Sequence, residues 1–264
     1  RLHALWSLHG LNALTGDDLS AALVTPHAGL RENALRIARV RTPLSTAALD
    51  AVIVVTEDNN PRVRLHAAFT LGAQTDDKAT AALTKLARRD AGDRWLRAAI
   101  LATPRHHALG MAKRLLPDAT FITSSSASLI LAPLIETVGK QNDQEDLNET
   151  ARIIASLKST PLQETFLLAL DKGLRRAGSR LTQAELPAPA RRLLEQLHAN
   201  AHASLQSPGP YTSSQIRALQ LLALDDSPEV RTALLATLKP GYDNRLQLDA
   251  VRALFGLGDE GARH

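Results

Sequence analysis

The 264 residues contain no cysteine, a single methionine, and only two Trp, two Tyr and four Phe. Without thiols the chain forms no disulfide, thiolate metal site, thiol nucleophile or covalent haem attachment, although this leaves the redox compartment open. Aromatics make up 3% of residues against an ordinary hydrophobic content of 44%. Leu and Ala must therefore fill the core, a bias that favours helix over strand and lets helices approach closely. Long apolar runs are also missing. The longest, Leu129 to Ile135, contains Pro133 and falls well short of the roughly 20 residues that cross a bilayer. No Gly-rich phosphate loop occurs; Gly256-Leu257-Gly258 reads as a helix end, not a nucleotide fingerprint.

What is present is a repeat. Arg1-Leu2-His3-Ala4-Leu5, Arg31-Glu32-Asn33-Ala34-Leu35, Arg64-Leu65-His66-Ala67-Ala68 and Arg97-Ala98-Ala99-Ile100-Leu101 share one pattern, with arginines thirty, thirty-three and thirty-three residues apart. A helical period of that length is the mark of a solenoid whose hairpins bury their apolar faces against their neighbours. The expected fold is all-α, an α-solenoid (superhelix) of about seven to eight helical hairpins, with one continuous domain over 1–264. Regular repeats are expected over 1–116, longer degenerate ones over 117–211 and regular ones again over 212–264. The chain opens inside a repeat at Arg1 and closes with Asp259-Glu260-Gly261-Ala262-Arg263-His264, which resembles the start of another unit. It therefore reads as a piece of a longer protein.

Punctuation places about fifteen helices. One set begins near Arg1, Ala28, Pro61, Asp93, Ser125, Pro161, Ser213 and Asn244. Asn60 before Pro61, Thr160 before Pro161 and Ser227 before Pro228 supply a capping oxygen ahead of a proline that loses no hydrogen bond at the first helical position. Thr160 with Gln163, and Thr212 with Gln215, fit the capping-box spacing. In the helix from Val63 to Leu71, Val63, Ala67 and Leu71 form one stripe and Leu65, Ala68 and Phe69 another, so cover is expected on several sides. Pro117 to Ser126 shows no helical stripe, and Pro187 to Pro189 and Ser207 to Pro210 mark further breaks.

Asn60-Pro61-Arg62-Val63-Arg64 and Asp226-Ser227-Pro228-Glu229-Val230-Arg231 resemble HEAT repeats, with their Pro, Asp or Asn, and following Val-Arg. A narrower resemblance rests on Arg64-Leu65-His66-Ala67-Ala68-Phe69-Thr70-Leu71-Gly72, Leu86-Ala87-Arg88-Arg89-Asp90, Trp95-Leu96-Arg97-Ala98-Ala99-Ile100 and Leu246-Gln247-Leu248-Asp249-Ala250-Val251-Arg252-Ala253-Leu254. This order is similar to the helical-repeat region of planctomycete-type secreted proteins that join a dehydrogenase-like β-propeller to a C-terminal c-type cytochrome domain. The resemblance implies a linking or docking role between modules, in the periplasm or outside the cell. Propeller and haem motif lie outside these residues, so it transfers no catalytic or haem-binding residue.

The arginine ladder of Arg1, Arg31, Arg64 and Arg97 could bind carboxylates through planar forks. The structural reading is preferred: each arginine satisfies helix-end carbonyls or an Asp of the next repeat. His198 and His202 are four apart and share a helix face, as a two-histidine metal site needs. No third ligand accompanies them, Ala199 stands where a hydrolase has its Glu, and no metal or other cofactor is expected. No His-Glu dipeptide occurs, unlike the di-iron hydroxylases built on HEAT-like repeats. His106 and His107 adjoin a helix start, and His3 and His66 are repeat equivalents; packing or hydrogen-bonding roles are expected for all four. Trp6 and Trp95 read as buried packing anchors, and Ser124-Ser125-Ser126 as a loop or cap cluster.

The formal charge is +4. Residues 1–120 hold 16 basic and 11 acidic side chains against 15 and 16 in the remainder, which admits an acidic partner. The leading expectation is a non-enzymatic, monomeric scaffold contacting another protein or neighbouring domains of its own chain. The alternative is a nucleic-acid binder using the ladder with Lys78, Lys85, Arg88, Arg89, Lys113 and Arg114 on one face. A third is a small-molecule lyase drawing on Asp58, Asp90 or His107.

Overall fold

The computed structural model describes residues 1–102, 105–206 and 211–258, and no strand occurs among them. The helices are α1 (Leu2–Gly10), α2 (Gly16–Leu23), α3 (Ala28–Val40), α4 (Thr46–Val54), α5 (Pro61–Gly72), α6 (Asp77–Asp90), α7 (Arg94–Leu101) and α8 (Ala108–Leu115). They continue as α9 (Ala119–Ile122), α10 (Ala127–Gln141), α11 (Gln144–Ser156), α12 (Thr160–Arg176), α13 (Ala188–Leu205), α14 (Ser213–Leu222), α15 (Pro228–Ala236) and α16 (Asn244–Gly258). Short 3-10 turns occupy Val55–Glu57, Arg105–His107 and Leu181–Gln183. Within each stretch helices pack against partners near in sequence, and the fold is all-α, of the α-solenoid class. The break expected at Ser207 to Pro210 and the tail Asp259 to His264 lie outside the described residues.

Local chemistry accounts for most helix starts. Asn60 Oδ1 accepts from the Arg62 amide and Ser227 Oγ from the Val230 amide, each ahead of a proline in the first turn. Asp76, Asp93, Asp118 and Asp143 cap α6, α7, α9 and α11 in the same way. Two capping expectations are corrected. Thr160 lies inside α12, whose cap residue Ser159 makes no side-chain bond, and Gln163 turns its amide onto the carbonyls of Ala155 and Leu157. Thr212 does accept from the Gln215 amide, but buried Gln215 Oε1 has no hydrogen-bond partner, so only half a box forms. A complete box occurs at Thr15 and Asp18, which the sequence reading passed over. The stretch Pro117 to Ser126 is also not wholly irregular, since Asp118 nucleates the one-turn α9.

The helices fall into two compact units, Arg1–Thr137 and Val138–His264, with the division inside α10. In the first unit α1, α3, α5 and α7 pack in series as one layer, and α2, α4, α6 and α8 as a second. The interior between the layers is built from Leu and Ala: Ala34, Leu35, Ala67, Leu71, Leu83 and Ala87 are fully buried or nearly so. Each fully buried Leu contributes roughly 1.5–3 kcal/mol. The double stripe of α5 is only partly covered: Val63, Ala67, Ala68 and Leu71 are buried, whereas Leu65 and Phe69 stay half-buried. In the second unit α12, α14 and α16 pack in series, α13 lies along α11 and α14, and α15 joins α14 and α16.

Candidate functional site

The ladder arginines act in one register. Arg64 on α5 places Nε and Nη2 on Asp90 Oδ2 and Oδ1, both at 2.9 Å, and Nη1 on the Asp58 carbonyl at 2.8 Å. Arg31 on α3 grips Asp58 likewise at 2.6 and 3.0 Å and donates Nη1 to the Thr25 carbonyl at 2.6 Å. Arg97 donates Nη1 to the Ala91 carbonyl at 2.6 Å. In all three the carbonyl lies six residues earlier, in the turn that leads into the arginine's own helix. The Asp partners lie 27 and 26 residues on, Asp58 in the connection before α5 and Asp90 at the last residue of α6. The forks of Arg31 and Arg64 thus tie two successive turns together, while Arg97 holds only the turn before its own helix. Arg231 on α15 repeats the device with carbonyls only, from Asp226 and Leu257. Arg1 is exposed, and no hydrogen bond of its guanidinium is present among the described residues.

Electrostatics follow burial. Burial works to raise the Asp58 carboxyl, yet hydrogen bonds from Arg31 and the Asn60 amide, with the charges of Arg31 and Arg64, hold it below the usual carboxylate range. Arg64 and Asp90 are buried as a bidentate pair. Asp58 and Asp90 therefore serve the ladder. His107 is fully buried, with Nδ1 2.8 Å from Thr80 Oγ1 and Nε2 without a hydrogen-bond partner. Burial and then neighbouring His106 lower its ring, while carbonyls of Gln74, Gly72 and Leu71 oppose them.

The other side of the first layer differs in character. The segments of α1, α3, α5 and α7 contain a single acid, Glu32, against seven arginines. Three of the seven belong to the ladder. The remaining four, Arg36, Arg39, Arg62 and Arg94, are exposed. Aromatic rings lie among them. Arg39 stacks 5.0 Å from the Phe69 centroid across α3 and α5, and Arg94 lies 4.4 Å from the Trp95 centroid on α7. Trp6 Nε1 donates to Asn33 Oδ1 at 3.0 Å, joining α1 to α3, and Arg62 pairs with Glu32 at 3.2 Å. His66 is half-buried in this group. Burial, then the charge of Arg36, lowers its ring, with Arg62 and Arg39 adding to the effect and Glu32 opposing it.

This surface corrects the reading of the tryptophans. Trp6 and Trp95 are 41% and 63% exposed; they are not core anchors. Their helices were assigned correctly, but Leu5, Leu96 and Ala99 occupy the buried positions. His3 is exposed and His66 half-buried, so neither sits in the interior. The four exposed arginines escaped notice because their common trait, a layer with one acid, emerges only when helices distant in sequence are assigned to one layer.

Other expected cations lie elsewhere. Lys78, Lys85, Arg88 and Arg89 are on α6, and Lys113 and Arg114 on α8, in the second layer. Four of them face carboxylates: Lys78 pairs with Asp50, Arg88 with Asp118, Arg89 with Glu57 and Arg114 with Asp77. The structure therefore does not gather them with the ladder on one face.

His198 and His202 share α13 but line different open grooves of the second unit. His198 shares one of about 670 Å³ with Arg191, Glu195 and Asp225, while His202 borders another with Pro228 and Glu229. Burial lowers the His198 ring despite the opposing charge of Asp225. Among the described residues no group of three or more His, Asp or Glu could hold a metal ion. A further groove of the second unit, about 680 Å³, is open and lined by α12, α14 and α16. Asp171 and Asp249 at its wall are already bonded to Arg175 and to Tyr211 and Arg252. No helix among the described residues is long and apolar enough to cross a membrane.

No curated protein matches the chain. Among solved structures, the crystal structure of an engineered protein matches with a TM-score of 0.33 and 14% identity, covering 97% of this chain and 81% of the other. Residues 16–103, from the start of α2 through α7, match the family model of HEAT repeats.

Proposed function

We propose that the protein is a non-catalytic helical-repeat scaffold whose first layer contacts another protein or a neighbouring domain. The observation that carries this reading is the division of labour within that layer. Arg31 and Arg64 hold successive turns together, while Trp6, Trp95 and four further arginines remain uncovered on helices of the same layer. Exposed tryptophan and arginine side by side are the residue types that dominate protein interfaces. The HEAT-repeat match over 16–103 supports the same role, since HEAT repeats commonly mediate protein contacts. A photo-crosslinking amino acid replacing Trp95, in the cell that makes the protein, is expected to trap a protein or a neighbouring domain. Irradiation that yields only uncrosslinked chain sinks the reading.

We further propose that the parent is a larger secreted redox protein with a dehydrogenase-like propeller before the repeats and a c-type cytochrome domain after them. Support comes from the order of the motifs around Arg64, Leu86, Trp95 and Leu246. Sequencing the coding region on both sides tests it. A propeller upstream and Cys-Xaa-Xaa-Cys-His downstream are expected, and flanks lacking both overturn it.

A further inference from the structure

The scaffold reading leaves the chemistry of the partner open, and the first layer narrows it. Arg36, Arg62 and Arg94 are exposed on α3, α5 and α7, so the cations recur on three consecutive helices. Glu32, the only acid in the layer, is largely covered and already paired with Arg62, whose own side chain remains 75% exposed. The helical surface is thus mainly positive, with Asp93 beside Arg94 occupied in capping the Trp95 and Leu96 amides. It is also apolar in patches, with Leu2 40%, Trp6 41% and Trp95 63% exposed.

We infer that this side of α3, α5 and α7 docks an extended acidic peptide segment of a partner protein, with aliphatic side chains between its carboxylates. This rests on the scaffold reading. Planar guanidinium forks match carboxylates bidentately. Packed helices lie about 8–10 Å apart, and an extended chain rises about 3.3 Å per residue. A carboxylate at every third residue therefore meets one arginine per helix, while intervening side chains reach Trp6, Phe69 and Trp95. A single-stranded nucleic acid fits less well. Stacked bases need open ring faces, whereas Arg39 covers one face of Phe69 and Arg94 one face of Trp95. The field of Arg36, Arg39 and Arg62 at His66 is the positive environment an acidic segment relieves.

Fluorescence anisotropy of the whole protein at low ionic strength tests this, using a labelled peptide with Glu at every third position and Leu and Ala between. The Glu peptide is expected to bind, with affinity falling as salt rises, and its Gln counterpart to bind about tenfold more weakly or worse. Arg36→Glu with Arg62→Glu is expected to remove binding. Lys78→Glu with Lys85→Glu, the same charge change on α6, is expected to leave most of it. If the first pair unfolds the protein by circular dichroism, Arg36→Gln with Arg62→Gln replaces it, with a loss of about tenfold expected. NMR titration of His66 is expected to show its pKa rise with the Glu peptide and not with the Gln one. Equal binding of both peptides, insensitivity to the α3 and α5 substitutions, or tighter binding of a short single-stranded oligonucleotide overturns the inference. Peptide failure alongside a Trp95 crosslink removes the acidic partner and keeps the scaffold; failure of both removes both.

Discussion

Arg64 and Asp90 show how one residue pair can hold a repeat interface. Both are buried, and their two parallel hydrogen bonds leave little of either charge unsatisfied. Removing one partner strands the other, a loss of about 3–5 kcal/mol for buried pairs. Asp90→Ala is therefore expected to lower unfolding stability by about that amount in urea titration. Arg97→Ala, at a ladder position with a carbonyl contact and no Asp bond, is expected to cost only about 1–2 kcal/mol. His107 gives a second outcome at this scale. Burial, then the charge of His106, lowers its ring below the ordinary 6.5. The associated stability is present above pH 6.5 and is lost as pH falls through the folded pKa. His107→Gln is expected to flatten the decline of melting temperature below pH 6.5. His66 and His198, shifted in the same direction, contribute to the slope that remains, joined at lower pH by lowered carboxyls such as Asp58.

Among elements, Gly139 of α10 lies against the backbone of α12. A Cβ added there would come within 2.3 Å of the Leu170 carbonyl and 3.1 Å of Gly173 Cα. Those are backbone atoms, which cannot rotate aside. Gly139→Ala is expected to destabilise the protein by about 1–3 kcal/mol in denaturant unfolding, despite the better helix propensity of Ala. Gly10→Ala, with nothing within 4 Å, is expected not to destabilise. Element starts were largely legible: Pro61 and Ser213 open helices behind the caps Asn60 and Thr212, and Ala28 and Asn244 open helices where the apolar period places them. Misreadings arose where two local solutions compete. Gln163 can close a capping box or satisfy the end of the preceding helix, and only the approach of Ala155 and Leu157 selects the second. Gly139 gave no signal, because a glycine required by a neighbouring helix looks like any other in sequence.

For the molecule as a whole, contacts between helices near in sequence make stability a sum of local interfaces. The chain has two tryptophans, Trp6 and Trp95, and both lie in the unit Arg1–Thr137. Tryptophan fluorescence therefore follows that unit, whereas far-ultraviolet circular dichroism follows every helix. The two urea transitions are expected not to superimpose, and coincident curves would show a single cooperative body. Period and composition alone sufficed for helices, hairpins and the recurrence of Arg31, Arg64 and Arg97, because stacking repeats the same local problem every thirty or so residues. Which carboxylate each arginine grips, and that Trp6 and Trp95 face water beside Arg94 and Asn33, was settled by packing. Helical period tells which side chains share a face; it does not tell whether another helix covers that face, since the covering residues come from elsewhere in the chain.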